Sequence, residues 1–178
     1  MNKINLKANS YFEDECFNSL TIENTDLKKT EFYGCSFTNC NFFYVDFSEA
    51  IFEECQFSNC VFSINKIFDC SFREVNFYEC KLQGINFELL NQFALEINFN
   101  KCKLQHCSYS QMDLSNTSFE GCSLHECDFN DNNLRNVNFK YCDFTGSLFS
   151  NNNCENANFS NAINFNINPT DNNKFITY

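Results

Sequence analysis

The sequence predicts an all-β solenoid, on three observations. Large apolar residues recur at every fifth position. A second set, small or medium in size, recurs two residues before each large one. The other three positions of each five are mostly Asn, Ser, Asp, Glu, Thr and Lys. A helix needs apolar residues at spacings of three and four, and a strand at two. Period five fits neither. It fits a chain that runs straight for a few residues and then turns a corner, returning a large side chain to a central axis each time. Stacked coils share backbone hydrogen bonds as neighbouring strands do, and each touches only the coils above and below.

The first series opens at Phe12, Phe17, Ile22, Leu27 and Phe32 and continues without a miss through Leu82 to Phe87, sixteen members in all. The next step falls on Gln92. The series resumes two residues out of phase at Phe99 and runs through Leu104, Tyr109 and Leu114 to Phe159. It has thirteen members, of which Cys154 is the weakest. The second position is rich in cysteine. Cys35, Cys40, Cys55, Cys60, Cys70 and Cys80 share that phase in the first series, and Cys102, Cys107, Cys122, Cys127 and Cys142 in the second. Only Cys16 and Cys154 fall elsewhere.

Between the series lies ELLNQFALE, Glu88 to Glu96, where twelve residues separate Phe87 from Phe99 instead of ten. A two-residue bulge or short loop is expected over 88–98, inside one domain spanning 1–178. Repeats cover about 10–162. Residues 1–9 and 163–178 are off-pattern and are expected to cap the open coils. The single proline, Pro169, suits a chain leaving the stack.

Composition narrows the function. The chain has 178 residues, enough for one domain burying roughly 70% of its unfolded surface. It carries 12 Lys and Arg against 23 Asp and Glu, a net charge of -11. That excludes a phosphate-binding surface, which needs clustered cations, and docking on anionic lipid. No apolar stretch approaches a membrane span. MNKINLKANSYFEDEC lacks the apolar core of a secretory leader, which predicts a cytoplasmic protein whose 13 cysteines stay reduced. With 4 Gly and 1 Pro the chain lacks the usual turn chemistry of a sandwich or barrel. Its 31 Asn supply corners instead, since Asn tolerates the left-handed conformation.

The units CSFTN, CNFFY, CQFSN, CDFND, VNFKY, CDFTG and ANFSN resemble the pentapeptide-repeat family, with Cys often replacing Ala. That resemblance implies a right-handed quadrilateral parallel β-helix of about seven coils. Four pentapeptide sides then make one coil, so Phe12, Phe32, Phe52 and Phe72 should form one column, and Phe17, Phe37, Phe57 and Phe77 the next. Seven coils at the strand spacing give a rod of about 35 Å.

The chemical candidates are few. Cys40, Cys60 and Cys80 should share a column, as should Cys102, Cys122 and Cys142. Their pairs straddle corners and lack the tight knuckle spacing of zinc sites, so they read as small hydrophobes on the axis. His106 and His125 sit at outward positions with no nucleophile in a recognisable motif. His125 has Glu126 beside it as a surface partner. No phosphate loop, dinucleotide fingerprint or metal motif occurs, so neither enzyme activity nor a cofactor is expected.

The acidic residues carry the functional information. With four pentapeptides per coil, Glu13, Asp14, Glu31, Glu53, Glu54 and Glu74 fall on or beside one face, with Arg73 the one cation among them. One reading is a solubility device that keeps a solenoid with open edges monomeric. The other is a stripe that imitates DNA, since -11 along about 35 Å is one charge per roughly 3 Å, against ~1.7 Å for the duplex. CKLQGINF before the phase break and the ending ANFSNAINFNINPTDNNKF are similar to Qnr-type quinolone-resistance and microcin-immunity proteins. This resemblance implies a DNA mimic that binds DNA gyrase or topoisomerase IV, with no direct nucleic-acid binding. Against that group's pattern the long projecting loops are expected to be missing, with only the short 88–96 irregularity in their place, and the C-terminal helical extension to be missing or cut to a few residues. The alternative is a scaffold for another protein partner. The rod is expected to be a monomer, or an end-to-end homodimer through 163–178.

Overall fold

The computed structural model describes residues 6–166 and 172. It is a parallel β-helix of about seven turns. Each turn has four short sides, most of three residues, with the middle side chain pointing inward. Pro169 and the rest of the final segment lie outside the described residues. Among the described residues no helix is long and apolar enough to cross a membrane.

The four faces follow from the register. Face one joins Phe12, Phe32, Phe52 and Phe72 across parallel strands. Face two joins Phe17, Phe37, Phe57, Phe77 and Phe99. Face three joins Ile22 to Phe42, Phe62, Leu82, Leu104 and Leu124. Face four runs through Leu27, Phe47, Ile67, Phe87, Tyr109, Phe129 and Phe149, held mostly by single bridges such as Asp26 to Asp46. Partners lie four pentapeptides apart except across the phase break, where Phe77 pairs with Phe99 and the coil is two residues longer.

Outside the phase break at 88–98, every fifth residue of the repeats turns a corner with positive φ. Among the described residues 27 such positions are not glycine, and ten of those are asparagine. This is the conformation in which a Cβ crowds the following carbonyl, at roughly 1–2 kcal/mol per L-residue. Asn is among the residue types that tolerate this conformation best after glycine, and corners on adjacent coils can bond each other, as Asn136 Nδ2 donates to Asn116 Oδ1 at 3.1 Å. Gly34 relieves this strain outright, and a Cβ there would push the exposed Asp14 carboxylate of the coil above aside. Ile64 is the outlier, a β-branched residue held at φ 52° and 54% exposed.

Inside, the rings form columns. Phe17, Phe37, Phe57 and Phe77 stack at 4.6–4.8 Å. Neighbouring columns meet edge to face, as Phe52 and Phe57 do at 5.6 Å. Both arrangements suit the ring quadrupole. Face one departs at its fourth member, where Phe72 meets Phe52 at 68°. Beside it lies an apolar cavity of about 20 Å³, lined by Phe52, Phe72, Phe77, Phe87 and other core side chains. Tyr109 stacks between Phe87 and Phe129, at 4.8 Å from each, and its hydroxyl is buried without a partner. Tyr109→Phe keeps the ring and removes that orphan, so the variant should be more stable by about 1 kcal/mol. Denaturant unfolding checks this, and a destabilised variant would mean the hydroxyl has a partner.

The two cysteine series merge into one column beneath face three. The Cys40 N–H donates to Cys60 Sγ at 3.4 Å, Cys60 to Cys80 at 3.3 Å, and Cys102 to Cys122 at 3.3 Å. All 13 thiols are free and 12 are buried, Cys16 being exposed. Burial pushes Cys55, Cys142 and Cys154 up to about 12. Only the thiolate reacts rapidly. A reagent must also reach the sulfur, so the exposed Cys16 should label quickly and the twelve buried thiols only after denaturant is added. Fast labelling of several thiols in the native protein would contradict this packing.

A different ladder runs under face one in the last coils. Met112 N–H donates to Asn132 Oδ1 at 2.8 Å, Asn132 N–H to Asn152 Oδ1 at 2.9 Å, and Asn152 N–H to Asn172 Oδ1 at 3.1 Å. Three asparagines, each one coil from the next, satisfy in sequence a column that holds Thr30, Ala50 and Cys70 in the earlier coils.

Candidate partner-binding face

Face one collects all six carboxylates singled out by the sequence. Glu13, Glu31 and Glu53 lie on its first three strands, Tyr11–Glu13, Glu31–Tyr33 and Ile51–Glu53. Asp14, Glu54 and Glu74 occupy the corner that follows, at φ 55°, 54° and 54°. Gly34 completes that corner column, and its missing side chain leaves the space into which Asp14 leans. Glu13, Asp14, Glu54 and Glu74 are exposed, whereas Glu31 and Glu53 are half-buried.

Neighbouring strands stand about 4.8 Å apart, so the face presents negative groups in rows at that repeat. Local bonds hold several of them. The Tyr11 hydroxyl donates to Glu13 at 3.0 Å and the Tyr33 hydroxyl to Glu31 at 3.1 Å. The two rings contact at 5.5 Å. Hydrogen bonding to the neighbouring carboxylate raises Tyr11, and burial together with such a bond raises Tyr33. Arg73 neutralises only Glu53, at 3.1 Å. The tyrosines escaped sequence reasoning because their positions flank the inward Phe and carry no fixed residue type. The signal was present, however, since Tyr11 and Tyr33 each lie two residues from a glutamate.

The acidic rows end where the phase break begins. A short 3-10 turn, Phe87–Leu89, leads into 90–96, which crosses face one with seven residues instead of five. Asn91 Oδ1 accepts from the Phe93 N–H at 2.9 Å, and Phe93 is 77% exposed. Beyond it face one carries Asp113, Asn133 and Asn153, a mostly neutral surface.

The histidines lie on or beside face three. His125 pairs with Asp143 at 3.1 Å and not with its sequence neighbour Glu126, which pairs instead with His106 at 3.1 Å. The correction has a geometric cause. Adjacent residues on a side point in different directions, so a side chain meets its counterpart on the next coil. Hydrogen bonds from Asn164, Thr145 and His125 hold Asp143 down to about 2. No group of metal-ligating residues occurs among the described residues.

Comparison with known proteins agrees with this geometry. A model described as "Pentapeptide repeat region" matches residues 92–159, and one described as "Pentapeptide repeats (8 copies)" matches 40–63. No curated relative matches the chain. Among solved structures the chain is similar to HetL, a pentapeptide repeat protein involved in heterocyst differentiation regulation from the cyanobacterium Nostoc sp. strain PCC 7120. Identity is 16%, the match covers 84% of this chain and 78% of that one, and the TM-score is 0.51. It is also similar to trypsin-treated QnrB1, a plasmid-mediated fluoroquinolone resistance protein, at 20% identity, 86% and 81% coverage and a TM-score of 0.45.

Proposed function

We propose that this chain, which belongs to the pentapeptide-repeat family, is a non-enzymatic rod whose acidic face binds the cationic DNA-binding surface of a bacterial type II topoisomerase. The observation that carries the proposal is the gathering of six carboxylates on one face of four successive coils, with one compensating arginine. A rigid rod presenting negative rows is steered to a phosphate-binding saddle by complementary charge. The choice of gyrase or topoisomerase IV rests on the Qnr-like segment CKLQGINF, and protection from quinolones or similar toxins would follow from occupying the DNA site.

Binding of the purified chain to gyrase and to topoisomerase IV, with and without duplex DNA, tests the proposal. DNA should compete. Affinity should fall steeply as salt rises, because screened surface charges carry the contact. Absence of salt-sensitive binding at micromolar protein would leave the scaffold reading in its place. That reading is favoured by exposed Phe68 and Phe93, apolar groups that imitation of DNA does not need.

A further inference from the structure

Face three lies opposite the carboxylate face in the four-sided section, and its middle carries a cluster of lysines. Lys81 and Lys103 stand in register on the adjacent strands Lys81–Gln83 and Lys103–Gln105, with Gln83 and Gln105 paired beside them. The strand spacing sets the two lysines about 4.8 Å apart at the backbone. Like charges directly opposite one another destabilise a sheet. Lys101, on the corner before the second strand, adds a third cation within the same two coils. Its ammonium lies over the Tyr78 ring at 5.5 Å and donates to the Tyr78 hydroxyl at 3.4 Å.

The charge here is unanswered. Lys28, Lys29, Lys66 and Arg73 each face a carboxylate at 3.1–4.0 Å. Among the described residues no ion pair reaches Lys81, Lys101 or Lys103. Glu79, on the corner above Lys101, is the carboxylate beside them and pairs with none of the three. The acids lower on the face are engaged, Glu126 by His106 and Asp143 by His125, at 3.1 Å each. A groove of about 340 Å³ runs between the two outward rows of this face, with Val61, Lys81 and Lys103 on one side and Ser63, Gln83 and Gln105 on the other. Both lysines and both glutamines are exposed, so their polar ends are open to a ligand. The upper end of the groove is apolar, with Phe43 and Val61 half-buried.

We propose that this groove is a second protein-binding site, docking an acidic, extended segment of a partner protein. A carboxylate set between the two ammoniums accepts charge-assisted hydrogen bonds from both and removes their repulsion. The glutamine amides can pair with the peptide groups of the segment, and an apolar side chain of the segment suits Phe43 and Val61. A nucleic acid fits this surface less well. Duplex DNA carries one charge per ~1.7 Å of axis, whereas the cluster has three lysines, an apolar end and a net charge of -11 on the chain around it. The site lies on the opposite side of the rod from the six carboxylates and is independent of the topoisomerase reading.

The test is an NMR titration of the ¹⁵N-labelled full chain with acetylated, amidated pentaglutamate, with pentaglutamine as the uncharged match. Saturable shifts are expected at the backbone amides of Lys81, Gln83, Lys103 and Gln105. Pentaglutamine should bind about 10-fold more weakly, because hydrogen bonds between charged groups are the stronger kind. Lys81→Gln combined with Lys103→Gln should weaken pentaglutamate by a similar factor and should melt no lower than the parent, because a like-charge pair is lost. Lys7→Gln combined with Lys140→Gln makes the same change in net charge away from the groove and should bind as the parent does. A variant with the six face-one carboxylates amidated should retain pentaglutamate binding, which separates failure here from failure at the topoisomerase. Four results would overturn the proposal. They are absence of saturation, parent-like binding by the Lys81 and Lys103 variant, tighter binding of duplex DNA at the same amides, and shifts that follow protein concentration alone, as docking of a second copy would give.

Discussion

Phe57→Ala is expected to cost about 3–5 kcal/mol, the range for removing a large ring from a packed core. Phe57 is 1% exposed and lies between Phe37 at 4.6 Å and Phe77 at 4.8 Å, with Phe62 edge-on at 5.2 Å. In a solenoid the coils above and below are fixed by their own ladders and cannot collapse into the void, so the cavity term is retained. A domain is stable by about 5–15 kcal/mol in total, so this one change consumes a large share. Ser58→Ala, on the outer side of the same strand, should stay within about 0.5 kcal/mol of the parent. Asn59→Ala is a poor control despite its surface position. At φ 54° it loses the residue type that the corner favours and should cost about 1 kcal/mol. Equal denaturation midpoints for Phe57→Ala and Ser58→Ala would show that the inward register is wrong.

Replacing Glu13, Asp14, Glu31, Glu53, Glu54 and Glu74 by their amides should reduce topoisomerase binding by about 100-fold or more at low salt. Single charges at a solvated rim contribute little, but six in register act together on association rate and complementarity. The loss should shrink as salt rises, because the parent weakens towards the variant. The fold should survive. None of the six side chains faces the axis, and Tyr11 and Tyr33 can donate to an amide oxygen as they do to a carboxylate. Circular dichroism and melting separate the two effects. A variant that binds as tightly as the parent would reduce the acidic face to a solubilising surface.

The fold was legible because one physical constraint, a large side chain on the axis every five residues, repeats often enough to expose its own phase. Position in the stack follows from counting off four pentapeptides, which is why Phe12, Phe32 and Phe52 and the six carboxylates land where the sequence places them. The unread parts depend on neighbours one coil away. Asn65 and Asn132 occupy the same position of the repeat. Asn132 has Asn152 and Asn172 below it and joins a ladder through its Oδ1, leaving only its Nδ2 unbonded, whereas Asn65 lies between Val45 and Ile85 with both ends of its amide unpaired. Comparing each polar residue with its counterparts on the coils before and after would have separated the two cases. On face four no backbone bond joins 65–67 to Asn86, although the coils on either side are bridged at Asp46–Lys66 and Asn86–Ser108; that gap has no such signal, since a missing backbone bond changes no residue type.

The interruption at the middle of the rod has a thermodynamic meaning. Stability in a stacked array is a sum over coils and over the contacts between adjacent coils. Around 65–96, faces two and three continue unbroken, while face four lacks its bonds and face one carries an irregular crossing. That level is the smallest coupling term in the sum. The rod is therefore two cooperative blocks joined at a weak boundary, and a fluctuation that opens one need not open the other. Hydrogen exchange should resolve two levels of protection, one for 11–64 and one for 97–159, whereas a single shared level would show that the boundary transmits cooperativity in full.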